Sequence, residues 1–141
     1  MGLQNKDGST KTECGIHVAG AEKTFDRDLW DATTTGKVKA LDKAGVAALK
    51  GSEGTSVMVV YAPWCQFCQA MEASYDALAA EMEASGIVVA KYRGDEDRDY
   101  VATEFNVKAF PTINVFKGGK MTKYDSEVRT PEALKAFVES C

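Results

Sequence analysis

The 141-residue chain has few cysteines, one histidine and no long apolar run, and each shortage excludes a class of protein. Four cysteines are too few for a small domain built on disulfides. A single histidine leaves a tetrahedral zinc site short of ligands. The longest apolar stretch, around Val57–Ala62, is far shorter than the ~20 residues that a membrane-spanning helix needs. The first residues also show no apolar segment typical of a secretory signal.

The charge balance is mildly acidic, with 17 basic against 21 acidic residues and a net charge of −4. A nucleic-acid-binding surface needs a basic face, so the composition argues against that class of partner. Apolar residues make up 45% of the chain, as in ordinary globular proteins. A chain of this length is expected to form one domain with a short tail.

Two parts of the chain differ in pattern. Residues 1–36 are rich in Gly, Ser, Thr, Lys and Asp without apolar periodicity, which predicts a flexible tail or linker. Residues 37–141 alternate between apolar runs and helical stripes, which predicts a folded domain. The predicted elements are strand 38–40, helix 41–50, strand 56–62, helix 67–86, strand 87–92, helix 97–105, strand 112–116, strand 120–124 and a helix from 131 to the C-terminus.

This order predicts an α/β fold. The strand–helix–strand units imply parallel neighbours, whereas the turn at Gly118-Gly119 implies an antiparallel hairpin. We therefore expect a mixed sheet of four to five strands, flanked by helices on both faces.

The chemistry-bearing feature is Cys65-Gln66-Phe67-Cys68, where a buried strand turns into a helix. Unpaired N–H groups at a helix N-terminus stabilise a thiolate, which lowers the pKa of Cys65 from the free value of ~8.5. Cys68 follows on the same helical face, close enough for a disulfide, and Trp64 shields one side of the pair. A metal site and a buried inert pair are the alternatives, and the former lacks further ligands.

Three segments resemble the thioredoxin superfamily: Tyr61–Cys68, Val107–Thr112 and Gly118-Gly119. The resemblance implies a thioredoxin fold and a redox-active disulfide between Cys65 and Cys68. It also implies thiol–disulfide exchange, in which the Cys65 thiolate attacks a disulfide or thiosulfonate sulfur and Cys68 resolves the mixed product.

The same resemblance implies roles for residues around the cysteines. Pro111 would be cis and lie against the two sulfurs, with Phe110 and Trp64 beside it as substrate-binding residues. An ordinary proline at the start of a strand is the alternative for Pro111. Lys91 occupies the position of a lysine near the active site of many thioredoxins, and an exposed lysine at a strand edge is its alternative.

One position departs from the family pattern. Thioredoxins and disulfide isomerases carry a buried acid six residues before the first active-site cysteine, where this chain has Val59. Because that acid helps to deprotonate the resolving cysteine, we expect slow resolution by Cys68 and a larger role for an external thiol such as glutathione.

The tail contains Glu13–His17, with the sequence ECGIH, which resembles the catalytic signature of assimilatory sulfonucleotide reductases. In plant and algal adenylylsulfate reductases this signature precedes a linker and a C-terminal thioredoxin-like domain. The segment Tyr61–Asp76 also resembles the redox domain of that family, although Gln66 stands where the family usually has proline.

This second resemblance implies that Cys14 is a nucleophile that attacks the sulfur of adenylylsulfate, releases AMP and becomes a thiosulfonate. His17 would position Cys14 or bind the anionic substrate, with a solvated tail histidine as the alternative. The nucleotide-binding domain and its [4Fe-4S] cluster are expected only in a preceding part of a longer chain. No cofactor or metal is expected in this piece, and Cys141 is interpreted as non-catalytic.

The resulting expectation is a glutaredoxin-like, glutathione-dependent oxidoreductase domain that supplies electrons for the reduction of adenylylsulfate to sulfite and AMP. Its expected partners are glutathione and the upstream reductase domain, and neither nucleic acid nor membrane is expected to bind. The expected location is the reducing plastid stroma. By itself the chain is expected to reduce disulfides but not adenylylsulfate. The alternatives are an independent thioredoxin or disulfide-isomerase-like protein and a non-catalytic thioredoxin-like binding module.

Overall fold

The computed structural model describes residues 3–4, 10–11, 14–15, 28–30, 37–126 and 128–141. The strands are β1 (Leu3–Gln4), β2 (Thr10–Lys11), β3 (Cys14–Gly15), β4 (Lys39–Ala40), β5 (Thr55–Tyr61), β6 (Val88–Arg93), β7 (Ala109–Phe110), β8 (Thr112–Lys117) and β9 (Lys120–Lys123). The helices are α1 (Lys43–Gly51), α2 (Gln66–Ala70), α3 (Glu72–Glu83), α4 (Arg98–Phe105) and α5 (Pro131–Ser140).

The main sheet has five strands in the order β4-β6-β5-β8-β9. The pairs β4–β6 and β5–β6 are parallel, and the pairs β5–β8 and β8–β9 are antiparallel. The predicted mixed sheet is therefore confirmed. Every residue from Ser56 to Tyr61 is buried, so both faces of β5 are covered, as its continuous apolar run predicts.

Two small antiparallel pairs lie outside this sheet. β1 pairs with β2, and β3 pairs with β7. In the second pair Cys14 is opposite Phe110 and Gly15 is opposite Ala109. Because β7 immediately precedes β8, this pairing brings the backbone of a segment predicted as tail to an end of the main sheet.

The helix predicted over 67–86 is interrupted in the structure. α2 ends at Ala70 and α3 begins at Glu72, and Met71 between them has φ −93° and ψ 1°. Apolar periodicity does not detect this break, because Met71 stays buried on the same face as Leu78 and Met82. Beyond α3, Gly86 has a φ of 73°, which fits its predicted place at the helix end.

Local capping explains where two other helices begin. Thr130 Oγ1 accepts a hydrogen bond from the Ala133 N–H at 3.2 Å and Pro131 starts α5, as predicted. α1 begins two residues later than predicted, because the Asp42 side chain caps it by accepting from the Gly45 N–H at 2.7 Å. Within the described ranges, no helix has the length and apolar character needed to cross a bilayer.

The core includes two residues from the predicted tail. Leu29 is completely buried and Trp30 is 4% exposed, and both belong to the hydrophobic cluster of the domain. Two residues of the predicted tail or linker thus pack in the core, and their apolar pair is too short to produce a periodic pattern. The boundary between residues 36 and 37 stays a prediction.

Candidate active site

The main chain places Cys65 at the amino end of α2. The Cys65 N–H donates to the Ala62 carbonyl at 3.1 Å, and the Cys65 carbonyl accepts from the Gln69 N–H at 3.0 Å. Cys65 is thus the N-cap of a five-residue helix, as its place after β5 predicts. The free N–H groups of the first turn face this end and carry partial positive charge.

The two motif cysteines are in different oxidation states. Cys65 is disulfide-bonded, whereas Cys68 and Cys141 are free thiols. Cys65 is also completely buried. Because Cys68 is a free thiol, the disulfide of Cys65 does not involve it. Formation of a redox-active disulfide between Cys65 and Cys68 stays a prediction.

Cys68 lies inside the domain, where its thiol is held neutral. Burial raises its pKa from 9.0 to about 12, as the dominant effect. A hydrogen bond with the Ala62 backbone and the charge of Arg129 lower the pKa, and the charge of Asp95 raises it. Cys68 must lose this proton before it can act as a nucleophile.

The segment before Pro111 borders Cys65 through the Phe110 carbonyl. The Phe110–Pro111 peptide bond is cis, as the family resemblance implies. The Phe110 carbonyl oxygen lies 3.6 Å from Cys65 Sγ, and the Phe110 ring is edge-on to Trp64 at a centroid distance of 5.9 Å. The structure therefore groups Trp64 and Phe110 at Cys65, while substrate binding by Trp64, Phe110 and Pro111 stays a prediction.

Gly94 is a residue of this site that sequence reasoning missed. Its N–H donates to the Tyr61 carbonyl at 2.8 Å, directly beyond the end of β6. A Cβ atom at Gly94 would lie 2.6 Å from Val60 Cγ1 and 2.7 Å from Phe110 Cε1. Only glycine fits here without moving Phe110, and a lone glycine after a strand could not be distinguished from an ordinary turn residue.

The predicted residues of the tail are only partly described. The backbone of Cys14 pairs with that of Phe110, the residue whose carbonyl contacts Cys65. His17 lies outside the described residues, and its predicted role stays a prediction.

Lys91 is not an exposed lysine at a strand edge, and that alternative is wrong. β6 lies between β4 and β5, so Lys91 sits inside the sheet with its side chain 4% exposed. Its Nζ lies 3.3 Å from Asp28 Oδ2 and also donates to the Leu29 carbonyl. Lys91 is the register partner of Val59, so this cation lies beside the position where the family acid is missing.

The charges that act on Cys68 come from separate parts of the chain. Asp95 follows β6 and forms a bidentate ion pair with Arg93, at 3.0 and 3.2 Å. Arg129 precedes α5. Sequence reasoning connected neither Asp95 nor Arg129 with Cys68, because no local spacing links them. Among the described residues, no group of three or more His, Cys, Asp or Glu could hold a metal ion.

A Cys-x-x-Cys helix start facing a cis-proline segment at the end of a mixed sheet defines a redox-type thiol site. Residues 38–140 match the thioredoxin family, and the chain belongs to that family. Its relatives include 5'-adenylylsulfate reductase 1, chloroplastic, of Arabidopsis thaliana, at 38% identity over 89% of this chain and 30% of that protein. Another is protein disulfide isomerase-like 2-1 of Oryza sativa subsp. japonica, at 32% identity over 73% of this chain and 28% of that protein. The chain thus spans less than a third of the length of these relatives.

Solved structures share the fold. The J-Trx1 fragment of ERdj5 matches with a TM-score of 0.68 at 20% identity, over 75% of this chain and 52% of that one. The first thioredoxin domain of mouse protein disulfide-isomerase A4 matches with a TM-score of 0.65 at 28% identity, over 74% of each chain. The thioredoxin fold expected from the motifs is therefore confirmed.

Proposed function

We propose that this chain is a thiol–disulfide oxidoreductase domain that carries electrons from glutathione to Cys14 during the reduction of adenylylsulfate. The observation that carries the proposal is the pairing of the Cys14 backbone with Phe110, whose carbonyl oxygen lies 3.6 Å from Cys65 Sγ. The 38% identical relative named as a 5'-adenylylsulfate reductase supports the same reaction.

The proposed chemistry has two exchanges at sulfur. The Cys65 thiolate attacks the Cys14 sulfur of a thiosulfonate, which forms a Cys14–Cys65 disulfide and expels sulfite with the electron pair of the broken S–S bond. Two glutathione thiols then reduce this disulfide, restoring the Cys14 and Cys65 thiols and leaving glutathione disulfide. The net reaction consumes one thiosulfonate and two glutathiones.

Glutathione is proposed as the reductant because Cys68 is a poor nucleophile in this setting. With a pKa of about 12, only about one part in 10⁵ of Cys68 is thiolate at pH 7. An external thiol such as that of glutathione is not buried, so its pKa is not raised by desolvation. The valine at position 59, where the family has an acid, supports the same assignment.

The test uses an S-sulfonated peptide with the sequence Glu-Cys-Gly-Ile-His as the thiosulfonate and a Cys14→Ser chain as the catalyst. In glutathione, the chain should accelerate sulfite release, and adding Cys65→Ser should return the rate to that of glutathione alone. Cys141→Ser is the matched control and should keep the rate. Equal acceleration with and without Cys65 would exclude the proposed nucleophile.

The proposal assigns activation of adenylylsulfate to a preceding domain. The chain alone should therefore release no sulfite from adenylylsulfate plus glutathione, and purified chain should lack the brown colour of an iron–sulfur cluster. Sulfite formed from adenylylsulfate by this chain alone would contradict the assignment of adenylylsulfate activation to a preceding domain.

The word chloroplastic in the names of two reductase relatives supports a plastid location, which a fluorescent fusion of the whole gene product would test.

A second candidate function is disulfide isomerisation, favoured by the relative named protein disulfide isomerase-like 2-1 and by the likeness to a domain of mouse protein disulfide-isomerase A4. An isomerase must release trapped substrates, a step that requires its second cysteine. Refolding of scrambled ribonuclease separates the candidates: an isomerase refolds it and loses this activity in Cys68→Ser, whereas the proposed reductase refolds it no faster than glutathione does.

A further inference from the structure

The segment Asp28–Trp30, named here the anchor segment, is joined to the domain far more closely than a linker requires. The Trp30 ring is edge-on to Tyr61 at 5.1 Å and tilted against Tyr75 at 5.2 Å. Its backbone N–H donates to Glu72 Oε2 at 2.6 Å, and its indole Nε1–H donates to the Glu72 carbonyl at 2.9 Å. Side chain and backbone of Trp30 are thus both bound.

Asp28 adds a second set of contacts. Its carboxylate accepts a hydrogen bond from the Tyr61 hydroxyl at 2.5 Å and pairs with Lys91 at 3.3 Å. Lys91 also donates to the carbonyl of Leu29, so one buried cation holds two successive residues of the segment. Charge-assisted bonds of this kind are stronger and more specific than the contacts of a random linker.

These contacts lie near the active site. Tyr61 ends β5, four positions before Cys65. β3 pairs with β7 beside Cys65, and thirteen residue steps separate Gly15 from Asp28. The chain therefore contacts the domain both at β3 and at the anchor segment.

We propose that the anchor segment is a positioning element that shortens the tether between Cys14 and Cys65. The docking surface is formed by Tyr61, Glu72, Tyr75 and Lys91, and its occupant is the chain's own segment. The inference rests on the proposed function, because that function pairs the two cysteines. With the anchor docked, thirteen residue steps separate Gly15 from the anchor segment; without it, twenty-two steps separate Gly15 from Lys37, where the described domain begins.

The effective concentration of Cys14 at Cys65 falls roughly as the −3/2 power of tether length. Measuring it therefore shows whether the tether is held at the anchor segment. The readout is the equilibrium in which the Cys14 and Cys65 thiols plus glutathione disulfide give a Cys14–Cys65 disulfide and two glutathiones. Full-length chain with Cys68→Ser and Cys141→Ser has only these two thiols. The equilibrium constant gives their effective concentration directly.

Two insertions of the same Gly-Ser sequence, roughly 24 residues long, provide a matched pair. Placed after residue 22, between Gly15 and the anchor segment, the insertion should lower the effective concentration about fivefold. Placed after residue 33, beyond the anchor segment, it should leave the value unchanged. If the anchor does not hold, both insertions lengthen the same tether from Lys37 and should lower the value equally, about threefold. Equal effects, or no disulfide in either chain, would overturn the inference.

A substitution then tests the contacts themselves. In a Trp30→Ala chain, the insertion after residue 33 should lower the effective concentration of the two thiols about threefold. In a Trp30→Phe chain, the same insertion should leave it unchanged. If Trp30→Ala does not fold, Glu72→Gln weakens the same contact with less loss of packing. A silent insertion in a folded Trp30→Ala chain would contradict the assignment to Trp30. Glutathione-dependent reduction of hydroxyethyl disulfide, which does not use Cys14, tests the proposed function separately.

Discussion

The two cysteines of one motif, three residues apart, are both buried but differ in oxidation state and in their place on α2. Cys65 caps α2, contacts the Phe110 carbonyl and is oxidised, whereas Cys68 is a free thiol with a pKa of about 12. The N-terminus of α2 favours an anion at Cys65, whereas desolvation is the main effect that raises the pKa of Cys68. A Cys-x-x-Cys spacing thus specifies a pair of sulfurs, but it does not tell which sulfur attacks the substrate and whether the other resolves the mixed disulfide.

The largest expected difference between the two cysteines is in glutathione-dependent reduction of hydroxyethyl disulfide. Cys65→Ser should reduce the rate at least ~100-fold, to background, because it removes the nucleophile that forms the mixed disulfide. Cys68→Ser should retain a substantial part of the rate, since glutathione can resolve that intermediate. Cys141→Ser is the matched control and should behave as the wild type. Loss of activity in Cys68→Ser equal to that in Cys65→Ser would show a strictly dithiol route.

A pH profile sharpens the comparison by isolating the step that belongs to Cys68. In a Cys14→Ser, Cys141→Ser chain, Cys65 is converted to its mixed disulfide with thionitrobenzoate, and attack by Cys68 releases the coloured thiolate. Because burial raises the Cys68 pKa to about 12 and only the thiolate attacks, the rate should rise about tenfold per pH unit from about pH 7 to 10.

The control for that profile is the same chain with Cys68→Ser, which should release no thionitrobenzoate. A plateau at about pH 8 to 9 would mean that Cys68 titrates like an ordinary thiol. In that case burial does not suppress the Cys68 thiolate, and the argument for glutathione as the resolving thiol loses its physical basis.

Sequence reasoning predicted the local part of this site because that part is encoded locally. The apolar run predicted strand 56–62, and the structure has Thr55–Tyr61. The helix start at Cys65 followed from the same run and from the cysteine spacing. The cis bond at Pro111 came from the family resemblance alone, since a proline before a strand is usually trans.

The remainder of the site depends on contacts between distant residues. Lys91 and Asp28 are 63 positions apart, and the charge of Lys91 inside the sheet makes sense only once that partner is known. The two-residue strand β3 has no periodicity from which it could be predicted. Likewise, the pKa of Cys68 follows from burial and from the charges of Asp95 and Arg129, none of which is visible in the motif.

Gly94→Ala should disturb the surroundings of Cys65 by displacing Phe110. The new methyl group would lie 2.7 Å from Phe110 Cε1 and 2.6 Å from Val60 Cγ1, so the ring and the segment before Pro111 must shift. We expect a loss of about 1–3 kcal/mol in the free energy of unfolding, measured with urea, together with lower disulfide reductase activity. Gly51→Ala is the control, because nothing lies within 4 Å of its Cβ, and it should change stability by less than ~1 kcal/mol. Equal stabilities for the two variants would show that Phe110 accommodates the methyl group.

The smallest expected effect concerns the charges that tune Cys68. Arg129→Gln removes a charge that lowers the Cys68 pKa, so release of thionitrobenzoate should slow by roughly two- to tenfold. Asp95→Asn removes a charge that raises the Cys68 pKa and removes the bidentate partner of Arg93, so release should accelerate by a similar factor. Lys120→Gln, on the exposed strand β9, should change nothing. Because burial dominates the pKa, neither variant should bring Cys68 close to ordinary thiol reactivity, and shifts in the same direction for both would contradict an electrostatic cause.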